Sequence, residues 1–158
     1  MFHYKKIITG REMSKIINIV LIALLVFCNR PQSLNEEDIK TEVNNVLQTC
    51  VEGWNEGNID KYMSVYLESD SLRFAGNNSY KFGWQTVTDG YKQRYNTPAK
   101  MGKLIFSEIK ITIISKEAAL VFGRYTLKRE TDEPTGLFTL LFKKLDGEWK
   151  IVSDHTSS

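Results

Sequence analysis

Hydrophobic positions recur along this chain with two different periods. Between Asp38 and Glu56, residues Ile39, Val43, Val46, Leu47, Cys50 and Trp54 lie three or four apart, which is the apolar stripe of an amphipathic helix. Ser33 or Asn35 can cap it, with Glu36, Glu37 and Asp38 in the first turn, where the helix dipole favours acids. Gly57-Asn58 ends it. A shorter second helix, Ile59 to Leu67, places Ile59, Tyr62, Met63 and Tyr66 on one side. Short extended pieces follow at Leu72–Ala75 and Tyr80–Gly83, separated by the turn-forming Gly76-Asn77-Asn78-Ser79. A third helix is predicted over Trp84–Tyr95, with Val87, Tyr91 and either Arg94 or Tyr95 facing inward, and Thr97-Pro98 closes it.

From Leu104 onward the period becomes two. Ile109, Ile111 and Ile113 alternate with Glu108, Lys110 and Thr112, and Ala118–Lys128 forms a second long strand after a Ser-Lys-Glu turn. Thr131-Asp132-Glu133-Pro134 is a loop. Two apolar runs, Leu137–Phe142 and Trp149–Val152, then flank Asp146-Gly147, a local hairpin signal because glycine accepts positive φ. In the last strand strict alternation puts Trp149, Ile151, Ser153 and His155 on one face. Three helices followed by long antiparallel strands predict an α+β domain: a cone of three N-terminal helices on a curved, mainly antiparallel sheet of unequal strands. The inside of such a cone is the natural ligand site.

The chain of 158 residues is long enough for one domain with a substantial core and a targeting segment. Its formal charge is +2, but residues 1–28 carry +3, leaving a body of about −1. That near-neutral body argues against nucleic acid as a partner. Residues 1–28 read as a targeting segment, with an apolar run from Ile16 to Phe27 after Lys15 and a possible true start at Met13. Cys28 after that run resembles the lipidated cysteine of a bacterial lipoprotein; cleavage near it, or an uncleaved anchor, are the alternatives. Export from the cytoplasm is expected in each case, with membrane contact only through this segment. Residues 29–36 are a polar tether and residues 37–158 the domain. No disulfide is expected between Cys28 and Cys50.

The order of elements resembles the NTF2-like superfamily, and within it the DUF4440 and SnoaL-like group. The landmarks are Trp54-Asn55-Glu56-Gly57-Asn58, Gly83, Ala119–Arg124, Gly136-Leu137-Phe138-Thr139, and Asp146–Val152 leading to Asp154-His155-Thr156-Ser157. Relatives in that superfamily include ketosteroid isomerases, scytalone dehydratases, polyketide cyclases and the association domain of calcium/calmodulin-dependent kinase. The last is similar in carrying an Arg where Arg124 stands, lining a pocket that takes an acidic small molecule, and a Trp-to-His-to-Ser ending like Trp149, His155 and Ser157. The isomerase resemblance fails at its chemistry: the base position falls near Arg73 or Phe74 and the tyrosine position on Cys50. Since this fold hosts many functions, function must come from the site.

His155 is the sharpest candidate, either as a pocket residue or as a general base, and otherwise as a histidine bonded to backbone at a strand end. Arg124 shares a face with Leu120 and Phe122, so it needs an anion: a bound carboxylate, or an internal partner such as Asp154, Glu52 or Asp89. Most aromatics are core. Trp54, Tyr91, Tyr95, Phe122 and Phe138 are the ones selected as ligand contacts, since tyrosine and tryptophan suit a flat amphipathic molecule. With only His3 and His155, no multi-histidine metal site is expected, and no cofactor motif is present. The leading expectation is a cone-shaped pocket for a small, partly apolar molecule that can carry an anionic group. One alternative is a cyclase, dehydratase or isomerase using His155 as base, with Asp154 or Tyr95 assisting. Another is a homodimerisation module, since apolar side chains on both faces of Leu137–Phe142 call for a second layer, which light scattering would detect.

Overall fold

Helix α1, Glu36–Asn55, buries Ile39, Val43, Leu47, Cys50 and Trp54 along one stripe, as the spacing of its apolar positions requires. The computed structural model describes residues 35–76 and 78–157. The targeting segment, the Cys28 lipidation site and the tether up to residue 34 lie outside the described residues. The helix opens at Glu36 with Asn35 as cap residue, and the Asn35 side chain makes no capping bond. The end of α1 is tied to the sheet by the residues that follow the stripe. Trp54 Nε1 donates to Met101 O at 3.3 Å, and the Asn55 amide both donates to Leu104 O and accepts from Leu104 N, at 3.1 and 2.8 Å.

Helix α2 covers only Ile59–Met63, capped by the Asn58 side chain accepting from Lys61 N. It stops short of Leu67 because the backbone turns out to meet the sheet: Ile151 N donates to Val65 O, and Leu67 N to Ile151 O. Strands β1 (Arg73–Gly76) and β2 (Ser79–Phe82) form the short hairpin, and α3 (Trp84–Arg94) follows Gly83, whose φ of 87° suits glycine. Pro98 does more than close that helix. It stands at the start of a further short helix, α4 (Pro98–Met101), capped by Thr97.

The long strands are β3 (Lys103–Ser115), β4 (Ala118–Lys128), β5 (Thr135–Leu145) and β6 (Glu148–Thr156). Asp146 (φ 50°) and Gly147 (φ 87°) make the two-residue turn between β5 and β6, as the Asp-Gly signal predicts. The sheet runs β2-β1-β6-β5-β4-β3, with β1 parallel to β6 and every other pair antiparallel. It is a mixed, curved, unclosed sheet with the helices on its concave side.

Two irregularities decide which side chains face that side. In β3 the register slips between Ser107 and Lys110, with Glu108 at φ 56°. In β6 the pairing steps from Ile151↔Phe142 to Ser153↔Leu141, so Val152 is an extra residue opposite no partner. Before the bulge Trp149 and Ile151 are buried; after it Asp154 is buried and His155 exposed. The outward face carries Leu120, Phe122, Leu137 and Leu141, with Phe122 48% and Leu137 51% exposed. The homodimer expectation rests on this face. No helix among the described residues is long and apolar enough to cross a membrane.

Candidate functional site

Between the helices and the concave sheet face lies a cavity of about 420 Å³, within the range of small-molecule sites. Its apolar walls come from α1 (Trp54), β1 (Phe74), α3 (Tyr91), β3 (Leu104, Phe106) and β5 (Phe138, Leu140). The aromatic rings brace one another: Trp54 stands edge to face 5.2 Å from Tyr62 and 4.6 Å from Tyr95, and Phe106 lies tilted at 4.8 Å from Phe138. Phe138 occupies the space above Gly123, where any Cβ would meet its ring at 2.3 Å. That glycine makes room for a cavity wall.

Two carboxylates line the cavity, Asp132 exposed and Asp154 buried. Asp154 is 4% exposed, and it accepts from Tyr66 Oη at 2.9 Å and from Thr156 Oγ1 at 2.7 Å. Tyr66 Oη is 3.3 Å from Tyr62 Oη, which is 3.4 Å from Tyr91 Oη; both contacts are long for hydroxyl pairs. Each phenol has a single proton. Because Tyr66 spends its proton on Asp154, Tyr62 donates to Tyr66 and Tyr91 to Tyr62. The chain therefore points its protons toward Asp154 and leaves the Tyr91 oxygen free to accept from a ligand.

Burial dominates the titration of this group. It pushes the Asp154 carboxyl up to about 6, although the Thr156 and Tyr66 hydrogen bonds and the nearby His155 favour its charged form. Burial likewise raises Tyr62, Tyr66 and Tyr91, and the Asp154 charge adds to the effect. These phenols are neutral donors. The Cys50 thiol on the cavity wall is free, buried and pushed up by that burial, so it is an unreactive packing group.

Of the seven residues selected from sequence, Trp54, Tyr91, Tyr95 and Phe138 line the cavity. His155, Arg124 and Phe122 do not, which corrects the expectation that they contact a ligand in the cone. His155 is exposed on a shallow depression with Ala75, Tyr80 and Ser157. The Val152 bulge has turned it outward and turned Asp154 in. Arg124 binds Glu108 on the outer face, Nε to Oε1 at 2.9 Å and Nη2 to Oε2 at 3.4 Å, so its anion is neither a ligand nor Asp154, Glu52 or Asp89. Phe122 shares that outer face. The inward positions of β4 are Ala119, Val121 and Gly123, and because both faces of this strand are apolar, alternation alone does not say which is inside.

The residues missed as site components are Tyr62, Tyr66, Lys81 and Arg129, while Asp154 was expected to assist His155 or to pair with Arg124. Tyr62 and Tyr66 had a legible signal, four residues apart on the inward side of the second helix. Asp154 had none, because alternation placed it opposite Trp149. Arg73 and Phe74, at the isomerase base position, are an exposed cation and a cavity-wall ring. Among the described residues no group of three or more His, Cys, Asp or Glu is placed to hold a metal ion.

The SnoaL-like domain family matches residues 43–158. The chain is similar to the solved structure of an NTF-2 like protein of unknown function from Shewanella oneidensis MR-1, with 38% identity over 75% of this chain and 98% of that one, and a TM-score of 0.73. More distant structures share the fold alone. One is a candidate scytalone dehydratase from Novosphingobium aromaticivorans DSM 12444, with 13% identity over 77% of this chain and 84% of that one and a TM-score of 0.66. Another is a cystatin-like protein of unknown function from Nostoc punctiforme PCC 73102, with 12% identity over 75% and 89% of the two chains and a TM-score of 0.61. No curated protein matches the chain in sequence. With the family match spanning the helices, the sheet and the cavity between them, the chain belongs to the SnoaL-like family and carries the NTF2-like fold.

Proposed function

We propose that the domain binds a small, partly apolar molecule in this cavity, its polar end received by Asp154 and the tyrosine chain. The observation that carries this reading is Asp154 itself. A carboxylate buried without an ion-pair partner among the described residues is costly, and such groups cluster where a ligand or a reaction uses them. The aromatic walls supply the apolar complement. The test uses N-phenyl-1-naphthylamine, a neutral dye whose fluorescence rises in apolar surroundings. Wild-type protein is expected to bind it saturably, and Leu140→Trp, which fills the cavity, to lose at least tenfold in affinity. Phe106→Trp, a milder filling of another wall, guards against misfolding of the first variant. Dye binding unchanged in both variants, at unchanged melting temperature, would refute the reading.

A second reading is favoured by the position of the same carboxyl. A group that titrates near 6 while facing an apolar cavity is poised to take and return a proton near neutral pH. We propose Asp154 as the acid–base group of a dehydratase, cyclase or isomerase reaction, in the place that sequence reasoning assigned to His155. For any substrate found, the rate profile should then inflect near pH 6, lose at least a hundredfold in Asp154→Asn, and be indifferent to His155→Gln. An unchanged profile in Asp154→Asn would remove this reading and leave the binding one intact.

A further inference from the structure

The outer end of the cavity carries more positive than negative charge. Lys81 on β2, Arg94 in the last turn of α3 and Arg129 after β4 all line it, together with Asp132. Arg129 Nη1 lies 3.4 Å from Asp132 Oδ2, while its Nε is buried with no hydrogen-bond partner among the described residues. Lys81 and Arg94 form no ion pair with a described residue. Lys81 Nζ instead rests over Gly90, 2.6 Å from where a Cβ would stand, and Gly90 is one helical turn before Arg94. The Tyr125 hydroxyl, raised chiefly by burial, feels both Arg94 and Arg129. Three cations therefore meet one carboxylate at the open end of a cavity whose inner end holds only Asp154.

That asymmetry orients a ligand. An acidic group at the inner end would face the Asp154 carboxylate in a desolvated space, and like charges repel strongly there. At the outer end it would meet the Lys81 ammonium and the Arg94 guanidinium, both donors. The inner end offers acceptors instead, namely the Asp154 oxygens and the Tyr91 hydroxyl oxygen. Between them lie rings.

We propose that the ligand class is a hydroxylated aromatic or alicyclic monocarboxylic acid. Lys81 and Arg94 hold its carboxylate at the mouth, and its hydroxyl donates to Asp154. This rests on the binding reading above, and the anionic contact that the sequence placed at Arg124 falls instead on the opposite side of the sheet. Guanidinium and ammonium groups bind carboxylates through charge-assisted hydrogen bonds, each stronger than a neutral one.

The experiment compares 6-hydroxy-2-naphthoate with 6-hydroxy-2-naphthamide, probes of equal shape that differ in charge, by calorimetric titration of the protein. The carboxylate is expected to bind at least tenfold tighter than the amide. In the double variant Lys81→Gln/Arg94→Gln that preference should fall to about twofold or less, through the larger loss of carboxylate affinity. Equal affinities in the wild type, or a preference that survives the double variant, would overturn the proposal. If neither naphthalene probe binds but N-phenyl-1-naphthylamine does, the carboxylate specificity is wrong and the cavity reading stands. If none of the three binds, both fall together.

Discussion

Asp154→Asn is expected to stabilise the domain at pH 8 by roughly 2–3 kcal/mol. A carboxyl that titrates near 3.9 in an unfolded chain and at about 6 in the fold binds its proton more tightly when folded. Folding is then favoured by this group below pH 4, and the advantage is lost as pH rises through 6. A difference of about two pH units corresponds to roughly 3 kcal/mol when both states are ionised, and this group is fully buried, so solvent does not screen it. Glu42, held below its ordinary range chiefly by Lys144 and Trp149, Glu108 by Arg124, and Glu148 by Lys150, act in the opposite sense. Their stabilisation is present near neutral pH and lost in acid. They are common to both proteins, so the difference between wild type and variant isolates Asp154. Urea unfolding from pH 4 to pH 8 should show that difference growing with pH and levelling off above 7. A variant no more stable than wild type at pH 8 would mean that the folded protein pairs or hydrates Asp154 far better than its geometry indicates.

The same buried charge explains why the cavity floor is a functional candidate and not a packing solution. Asparagine would keep one of the two accepted bonds through its Oδ1 and turn its Nδ2 to the other hydroxyl as a donor, with no charge to desolvate. A protein that keeps the carboxylate accepts a stability penalty where a ligand would benefit. Such trade-offs are common at functional sites.

Trp54→Ala should cost about 3–5 kcal/mol, the range for a large buried aromatic. Trp54 is 3% exposed, packs edge to face on Tyr62 and Tyr95, and holds α4 through Met101 O. Trp54→Phe keeps most of the ring and loses the N–H bond, so about 1–2 kcal/mol is expected. Chemical denaturation of both variants separates the two contributions. If Trp54→Ala cost under 1 kcal/mol, the residue would be a ligand contact with little part in the core. The expected result assigns it to both, because the ring that lines the cavity is also the ring that seats α1 on the sheet.

Much of the architecture was legible in local pattern. The α1 stripe needs only the 3.6-residue period, and the Asp146-Gly147 turn needs only a glycine that tolerates positive φ. Both depend on residues near each other in sequence. The α4 turn was missed because Pro98 reads equally well as a stop and as a start, and the second helix was drawn too long because its end is set by a hydrogen bond to Ile151 in β6, far along the chain.

The candidate site divides along the same line. Sequence by itself determined that aromatics from the first and third helices would line an enclosed space, since apolar periodicity points them inward. Phe138, on a strand apolar on both faces, was placed there by the register of the sheet. Only the tertiary structure decided which polar groups enter it. Val152 becomes an extra residue because of how β6 pairs with Leu141 and Phe142 of β5, and one extra residue inverts every side chain beyond it. That single step sends His155 to solvent and Asp154 into the cavity. No local property of the last strand marks where such a step falls, because a bulge belongs to the pairing of two strands and not to either one alone.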